Sequence, residues 1–147
     1  MTGQRARFRR AVPDDADTLW SLYLCGDRDE LAWRLAGADM ERSTVYHVVE
    51  LDREVAAVFA LTELGRLRPG SPRRVLLHEI KLKPSFRGRN VPEDVFTWLA
   101  QTIGAGGETD LIVLAPPVEN PPLMADRGMV KAYHAFKWPA SAEGVPS

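Results

Sequence analysis

The chain has 147 residues, 45% of them apolar and 27% charged, and nineteen Lys and Arg against twenty Asp and Glu leave a formal net charge of −1. These values suit one soluble globular domain and exclude fibrous, collagenous, disordered and membrane-spanning classes. A near-neutral balance gives no global attraction for nucleic acid or an anionic bilayer, so neither is an expected partner. The lone Cys25 permits no internal disulfide. Arg5, Arg7, Arg9 and Arg10 precede no apolar run and so make no signal peptide, which makes the expected address cytoplasmic.

In chain order, residues 5–12 (RARFRRAV) alternate loosely and stop at Pro13, which suits an edge-type first strand. Asp15 to Leu24 repeats apolar residues at helical spacing and predicts a first helix. Gly26 breaks it. Asp27-Arg28-Asp29 caps a second helix, on Leu31, Ala32, Leu35 and Ala38, that ends near Met40. Thr44–Leu51 and Val55–Leu64 are β-branched and aromatic and are joined by the tight Asp52-Arg53, so they predict an antiparallel hairpin. Gly65–Arg74 is a loop with four arginines, and Val75–Lys83 is the next strand, closed by Pro84. A polar connection leads to a helix that starts at Pro92-Glu93-Asp94 and runs to Gly104. Leu111–Ala115 is a short apolar strand of the kind expected at a buried central position. Pro116–Pro122 holds four prolines and excludes regular structure, and Leu123–Phe136 predicts a last helix with Met124, Met129, Ala132, Tyr133 and Phe136 inward. Trp20, Trp33 and Trp98 fall on apolar helical faces and are expected in the core or at an interface.

The expected architecture is therefore α/β: a mixed central sheet with helices on both faces, and one right-handed strand-helix-strand unit from Val75 to Ala115. Residues 1–147 read as a single domain, with 1–4 and 139–147 as flexible tails.

The stretch richest in chemistry is 76–99, a strand, a loop bearing Arg87-Gly88-Arg89-Asn90, and a capped helix. Main-chain N–H groups at a helix N-terminus form an anion site for which phosphate is the usual guest, and Arg87 and Arg89 would add charge-assisted contacts. A solvated strand-helix loop with incidental arginines is the competing reading. His47, His78 and His134 have no ligand spacing with Cys or acids, so no metal site is expected. Cys25 reads as a small core residue, and Arg66, Arg68, Arg73 and Arg74 as a solvated loop or a steering patch for anions.

The run Leu82-Lys83-Pro84-Ser85-Phe86-Arg87-Gly88-Arg89 resembles the acyl-CoA loop of the GNAT superfamily of N-acyltransferases, which typically reads Val-x-Pro-x-Tyr-Arg-Gly-x-Gly-x-Gly after its fourth strand. Ala132-Tyr133-His134-Ala135-Phe136-Lys137-Trp138 is similar to the Tyr-x-x-x-Gly-Phe end of that family's last helix, and the element order from about Arg7 to Trp138 is also the family's. The resemblance implies the GNAT fold, acetyl-CoA as co-substrate without a metal, and transfer of an acetyl group to a small-molecule or peptide primary amine in a ternary complex. It implies that Leu82 pairs with the pantetheine arm, that Arg87, Gly88, Arg89, Asn90, Val91 and Pro92 surround the pyrophosphate, and that Tyr133 protonates the departing thiolate. Asn120 would contact the acceptor. Glu79, three residues before Leu82, is the candidate base for the amine, with His78 on the opposite strand face as a second candidate. A solvent-facing glutamate beside Lys81 and Lys83 is the alternative for Glu79, and a core tyrosine the alternative for Tyr133.

The chain departs from that pattern where Asn90 and Pro92 replace the last two loop glycines, where Lys137-Trp138 replaces Gly-Phe, and where only nine residues follow Trp138. Asn tolerates left-handed torsions, whereas Pro92 lacks an N–H, worth roughly ten- to a hundredfold in affinity for a charged guest. These departures define the alternative function, a degenerate GNAT-fold module that binds CoA or a protein partner without turnover. A homodimer is a third reading, in which a partner subunit completes the acceptor site.

Overall fold

The computed structural model describes residues 6–23, 27–37, 43–66, 68–114, 121–133 and 135–139. The chain divides into two compact units, Met1–Pro117 and Val118–Ser147. In the first, the elements run β1 (Arg7–Arg10), a 3-10 turn (Pro13–Asp15), α1 (Ala16–Tyr23), α2 (Arg28–Leu35), β2 (Thr44–Leu51), β3 (Glu54–Gly65), β4 (Arg73–Leu82), a second 3-10 turn (Pro84–Phe86), α3 (Val91–Ile103) and β5 (Thr109–Val113). The strands form one sheet in the order β1-β2-β3-β4-β5, antiparallel from β1 to β4 and parallel between β4 and β5.

Side-chain alternation divides the helices between the two faces. Val48 and Val58 form a buried cluster with Leu19 of α1, and Leu22, Tyr23, Leu31 and Leu35 pack against it. The intervening positions face α3: the Trp98 ring stacks on Phe8 at 4.9 Å and meets His47 and Phe59 edge-on at 5.4 and 6.0 Å. Trp98 is therefore a core residue as expected, but Trp20 and Trp33 are 43% and 55% exposed. In α1 the inward stripe is set by Ala16, Leu19, Leu22 and Tyr23, and Trp20 lies about 100° round the axis from Leu19.

Local chemistry accounts for most boundaries. Asp27 caps α2 by accepting from Asp29 N and Glu30 N at 2.8 and 3.3 Å. This helix ends at Leu35, short of the expected Met40, because Gly37 takes a left-handed φ of 78°. Asp52 and Arg53 both have positive φ, 57° and 65°, the torsions that let a two-residue turn match the twist of its strands. Strand β5 begins two residues earlier than expected and ends the sheet among the described residues, with Leu111, Ile112 and Val113 only half-buried. Its apolar run accompanies pairing with β4 at the edge of the sheet rather than a central position.

The second unit contains α4 (Pro121–Asp126). Pro121 and Pro122 open this helix, where a missing N–H costs nothing, so the proline-rich segment does reach into regular structure. The helix expected over Leu123–Phe136 stops at Asp126 because Gly128 turns left-handed, with φ 75°. Residues 129–133 and 135–139 are irregular, which leaves Tyr133 off any helix and 66% exposed. The expectations for Cys25, Met40, Asn120, His134 and the tails 1–4 and 140–147 lie outside the described residues. No helix among the described residues is long and apolar enough to cross a membrane.

The first turn after β1 is held by a buried carboxylate. Arg9 donates from both terminal nitrogens to Asp15, at 2.7 and 2.9 Å, and Val12 N donates to the same carboxylate at 2.7 Å. The Arg9 guanidinium, against the opposing effect of burial, holds the Asp15 carboxyl below its usual range. Its stabilisation is therefore complete above the unfolded-state value near 3.9 and is lost as pH falls through the lower folded value. Asp15→Ala is expected to cost about 2 kcal/mol in urea denaturation at pH 7, with the gap to the parent closing as the titration is repeated toward pH 3.

Candidate functional site

Strand β4 sets the geometry of the site. Its pairing with β5 ends at Leu77 and Val113, closed by Leu114 N donating to Leu77 O at 2.9 Å, while its pairing with β3 continues to Leu82. His78 pairs with Ala60 and Lys81 with Val58, so Glu79 and Ile80 together oppose Phe59 in a β-bulge, and Glu79 takes φ 55°. The extra residue reverses the inward-outward parity, so that Leu82 shares a face with its partner Ala57. Lys83 N donates to Ala56 O at 2.8 Å. By alternation, the main-chain groups of Leu82 point to the other side, the one β5 has left.

Beyond β4 the chain makes a tight anchored loop. Phe86 is 3% exposed, and three turn bonds close around it: Phe86 N to Lys83 O at 2.9 Å, Arg87 N to Pro84 O at 3.2 Å and Arg89 N to Phe86 O at 3.3 Å. Gly88 has φ 77°, with open space where a Cβ would stand. Asn90 takes φ 61° and ψ 24°, the left-handed torsion expected for a residue in a glycine's place, and starts α3 as its N-cap. Val91 is then the first helical residue and Pro92 the second, one place later than the sequence suggests. Among the described residues, the N–H groups of Gly88, Asn90 and Val91 have no hydrogen-bond acceptor. They meet the partial positive end of a 13-residue helix.

The two loop arginines differ. Arg89 donates to Asp52 at 2.8 Å and lies 5.4 Å over the Phe86 ring, tying the loop to the β2–β3 turn. Arg87 is exposed and has no ion pair among the described residues. Sequence reading missed the Arg89–Asp52 pair because 37 residues separate the partners, though both positions were singled out for other reasons.

Around the bulge, Glu79 is exposed, and its carbonyl accepts from the Tyr23 hydroxyl at 2.8 Å, a contact with no sequence signal. His78 points to the α1 and α2 face and shares a hydrogen bond with Thr62 Oγ1 at 2.6 Å, which in turn meets Thr44 Oγ1 at 2.7 Å. Burial holds His78 below the usual imidazole range, partly offset by Glu79. Three arginines of the 65–74 loop are used locally: Arg66 donates to Ser71 O, Arg73 pairs with Glu63 at 2.7 Å and Arg74 donates to Gly65 O at 3.2 Å. No group of three or more potential metal ligands occurs among the described residues.

A scan against protein-family models matches none, and no curated protein matches. Solved structures do match. Glucosamine-6-phosphate N-acetyltransferase from Arabidopsis thaliana superposes with a TM-score of 0.67 at 18% identity, over 91% of this chain and 98% of its own. A predicted acetyltransferase with acetyl-CoA from Clostridium acetobutylicum gives 0.62 at 13% identity, over 92% and 96%. A transcriptional regulator from Bacillus halodurans C-125 gives 0.73 at 12% identity, over 92% and 100%. At such identities the likeness is one of fold.

The left-handed N-cap is directly testable. Asn90→Gly should leave stability within about 0.5 kcal/mol, and Asn90→Val should lower it by about 1–2 kcal/mol in urea denaturation, because a β-branched side chain is strained at that torsion.

Proposed function

From the GNAT N-acyltransferase fold that this chain has, we propose that the protein transfers an acetyl group from acetyl-CoA to a primary amine by direct attack in a ternary complex. The observation that carries this reading is the conjunction of an opened strand with an anion cradle: among the described residues β4 has no β5 partner after Leu77, and five residues beyond Leu82 begins a loop whose Gly88, Asn90 and Val91 amides lack acceptors. An extended amide-bearing arm ending in a diphosphate matches both parts. Leu82 offers one N–H and one C=O to the arm, in the manner of a strand added to a sheet edge. The loop amides and Arg87 hold the diphosphate, and the open space at Gly88 admits its oxygens.

The thioester supplies an activated carbonyl carbon. An amine of pKa near 10 is only about one part in a thousand neutral at pH 7, so it needs a proton acceptor. Glu79 fills that role, standing exposed on the bulge at the place where the strands part. The amine nitrogen then bonds to the carbonyl carbon, the carbon–sulfur bond breaks, Tyr133 gives its phenolic proton to the leaving sulfur, and the second nitrogen proton passes to water, from which the phenolate is reprotonated. Acetyl-CoA is the donor.

A second reading, binding without turnover, is favoured by one feature. Pro92 removes a donor from the first turn of α3, and Arg89 is already paired with Asp52, so the cradle has fewer hydrogen bonds to offer. Calorimetry with acetyl-CoA, run beside a thiol-release assay over a panel of amines, separates the readings. Binding with release supports the transferase, binding without release across the panel supports the module, and failure to bind any CoA ester overturns both. For an active enzyme, Arg87→Ala is expected to raise KM about tenfold with kcat nearly unchanged. Pro92→Ala, which restores an N–H, is expected to tighten acetyl-CoA binding by up to about tenfold.

A further inference from the structure

The α3 face of the sheet carries a cleft of about 410 Å³ at the end away from the loop. Its floor is Val45, Leu61 and Val75, and α3 closes it with the Trp98 ring and Thr102. Thr102 lies eleven residues along α3 from Val91, about 16 Å at 1.5 Å per residue, so the cleft is separate from the loop amides.

Its polar groups are unequally satisfied. Arg73 and Glu63 neutralise each other at 2.7 Å across the rim. Arg9 also lines the cleft, but Asp15 and Glu50 engage its guanidinium. Arg10, by contrast, stands directly opposite His47 in the β1–β2 register, on the cleft side, and its guanidinium has no acceptor among the described residues. The Ser43 and Thr102 hydroxyls add donors. His47 walls the cleft with its ring stacked on Phe59 at 5.1 Å, and its Nδ1 is buried without a partner.

One cation without an acceptor among the described residues, above an apolar, ring-walled floor, selects a singly charged anion with a flat apolar body. The geometry points to a second small-molecule site, in which Arg10 holds the carboxylate of an aryl or similarly apolar monocarboxylic acid whose body lies against Trp98, Val45 and Leu61. A dianionic phosphate is disfavoured because the lining offers one free charge, and an amine because that charge repels it. This site goes beyond the transferase reading and does not depend on it.

The test is titration calorimetry of the full chain, at low ionic strength and without any CoA ester, using sodium benzoate, benzyl alcohol and benzylamine as probes. Benzoate is expected to bind saturably, at least about tenfold tighter than either uncharged or cationic analogue, and to shift the Trp98 indole N–H resonance. Arg10→Gln should weaken benzoate by about tenfold or more, while Arg7→Gln, on the same strand but outside the cleft, should leave it unchanged. The proposal is overturned if benzoate gives no saturable heat, if benzyl alcohol binds as well, or if both arginine variants lose affinity alike, which would mark diffuse attraction to a basic edge strand.

Discussion

Between Leu77 and Leu82, strand β4 keeps its pairing with β3 and has no partner on its other edge among the described residues, and the bulge at Glu79 and Ile80 falls inside that interval. A parallel pair that stayed zipped to the end of β4 would leave no exposed main chain for an extended ligand. A β4 without the bulge would turn Leu82 to the opposite face and aim the following loop elsewhere, because one extra residue inverts every side chain after it. The Tyr23 hydroxyl, bound to Glu79 O, holds the bulge from the α1 side. The loop, the N-terminus of α3 and the exposed carboxylate of Glu79 take their positions from this short unpaired interval.

The near-neutral total conceals an uneven use of charge. Arg9, Arg73 and Arg89 are each bound to a carboxylate within 2.8 Å, so they build structure rather than attract ligands. Arg87 and Arg10 are among those with no side-chain acceptor among the described residues, and they stand at opposite ends of α3 in different surroundings. Local accounting of which guanidinium groups are already engaged is more informative here than the count of fifteen arginines.

Element order, the hairpin turn at Asp52-Arg53, the cap at Asp27 and the left-handed Asn90 were legible in the sequence, since each depends on residues adjacent along the chain. What escaped was set by distant contacts or by single torsions. The outward turn of Trp20 and Trp33 depends on which stripe of α1 and α2 meets the sheet, and both stripes hold apolar residues. The early stop of α4 follows from one glycine, which weakens a helix in any reading but here ends it. The bulge left no trace because His78-Glu79-Ile80 carries no glycine or proline. The site was accordingly readable as a loop sequence, while the Arg89–Asp52 and Tyr23–Glu79 contacts that shape it needed the folded chain.

Phe86 and Asp52 share the task of fixing the loop unequally. An exposed ion pair such as Arg89–Asp52 contributes at most about 1 kcal/mol in water, whereas full burial of an aromatic ring contributes about 1.5–3 kcal/mol. A polyanion arriving at α3 can therefore take the Arg89 guanidinium from its carboxylate while the ring still moors the chain. Added salt should act on the loop in the same way, loosening a tether without casting off the anchor.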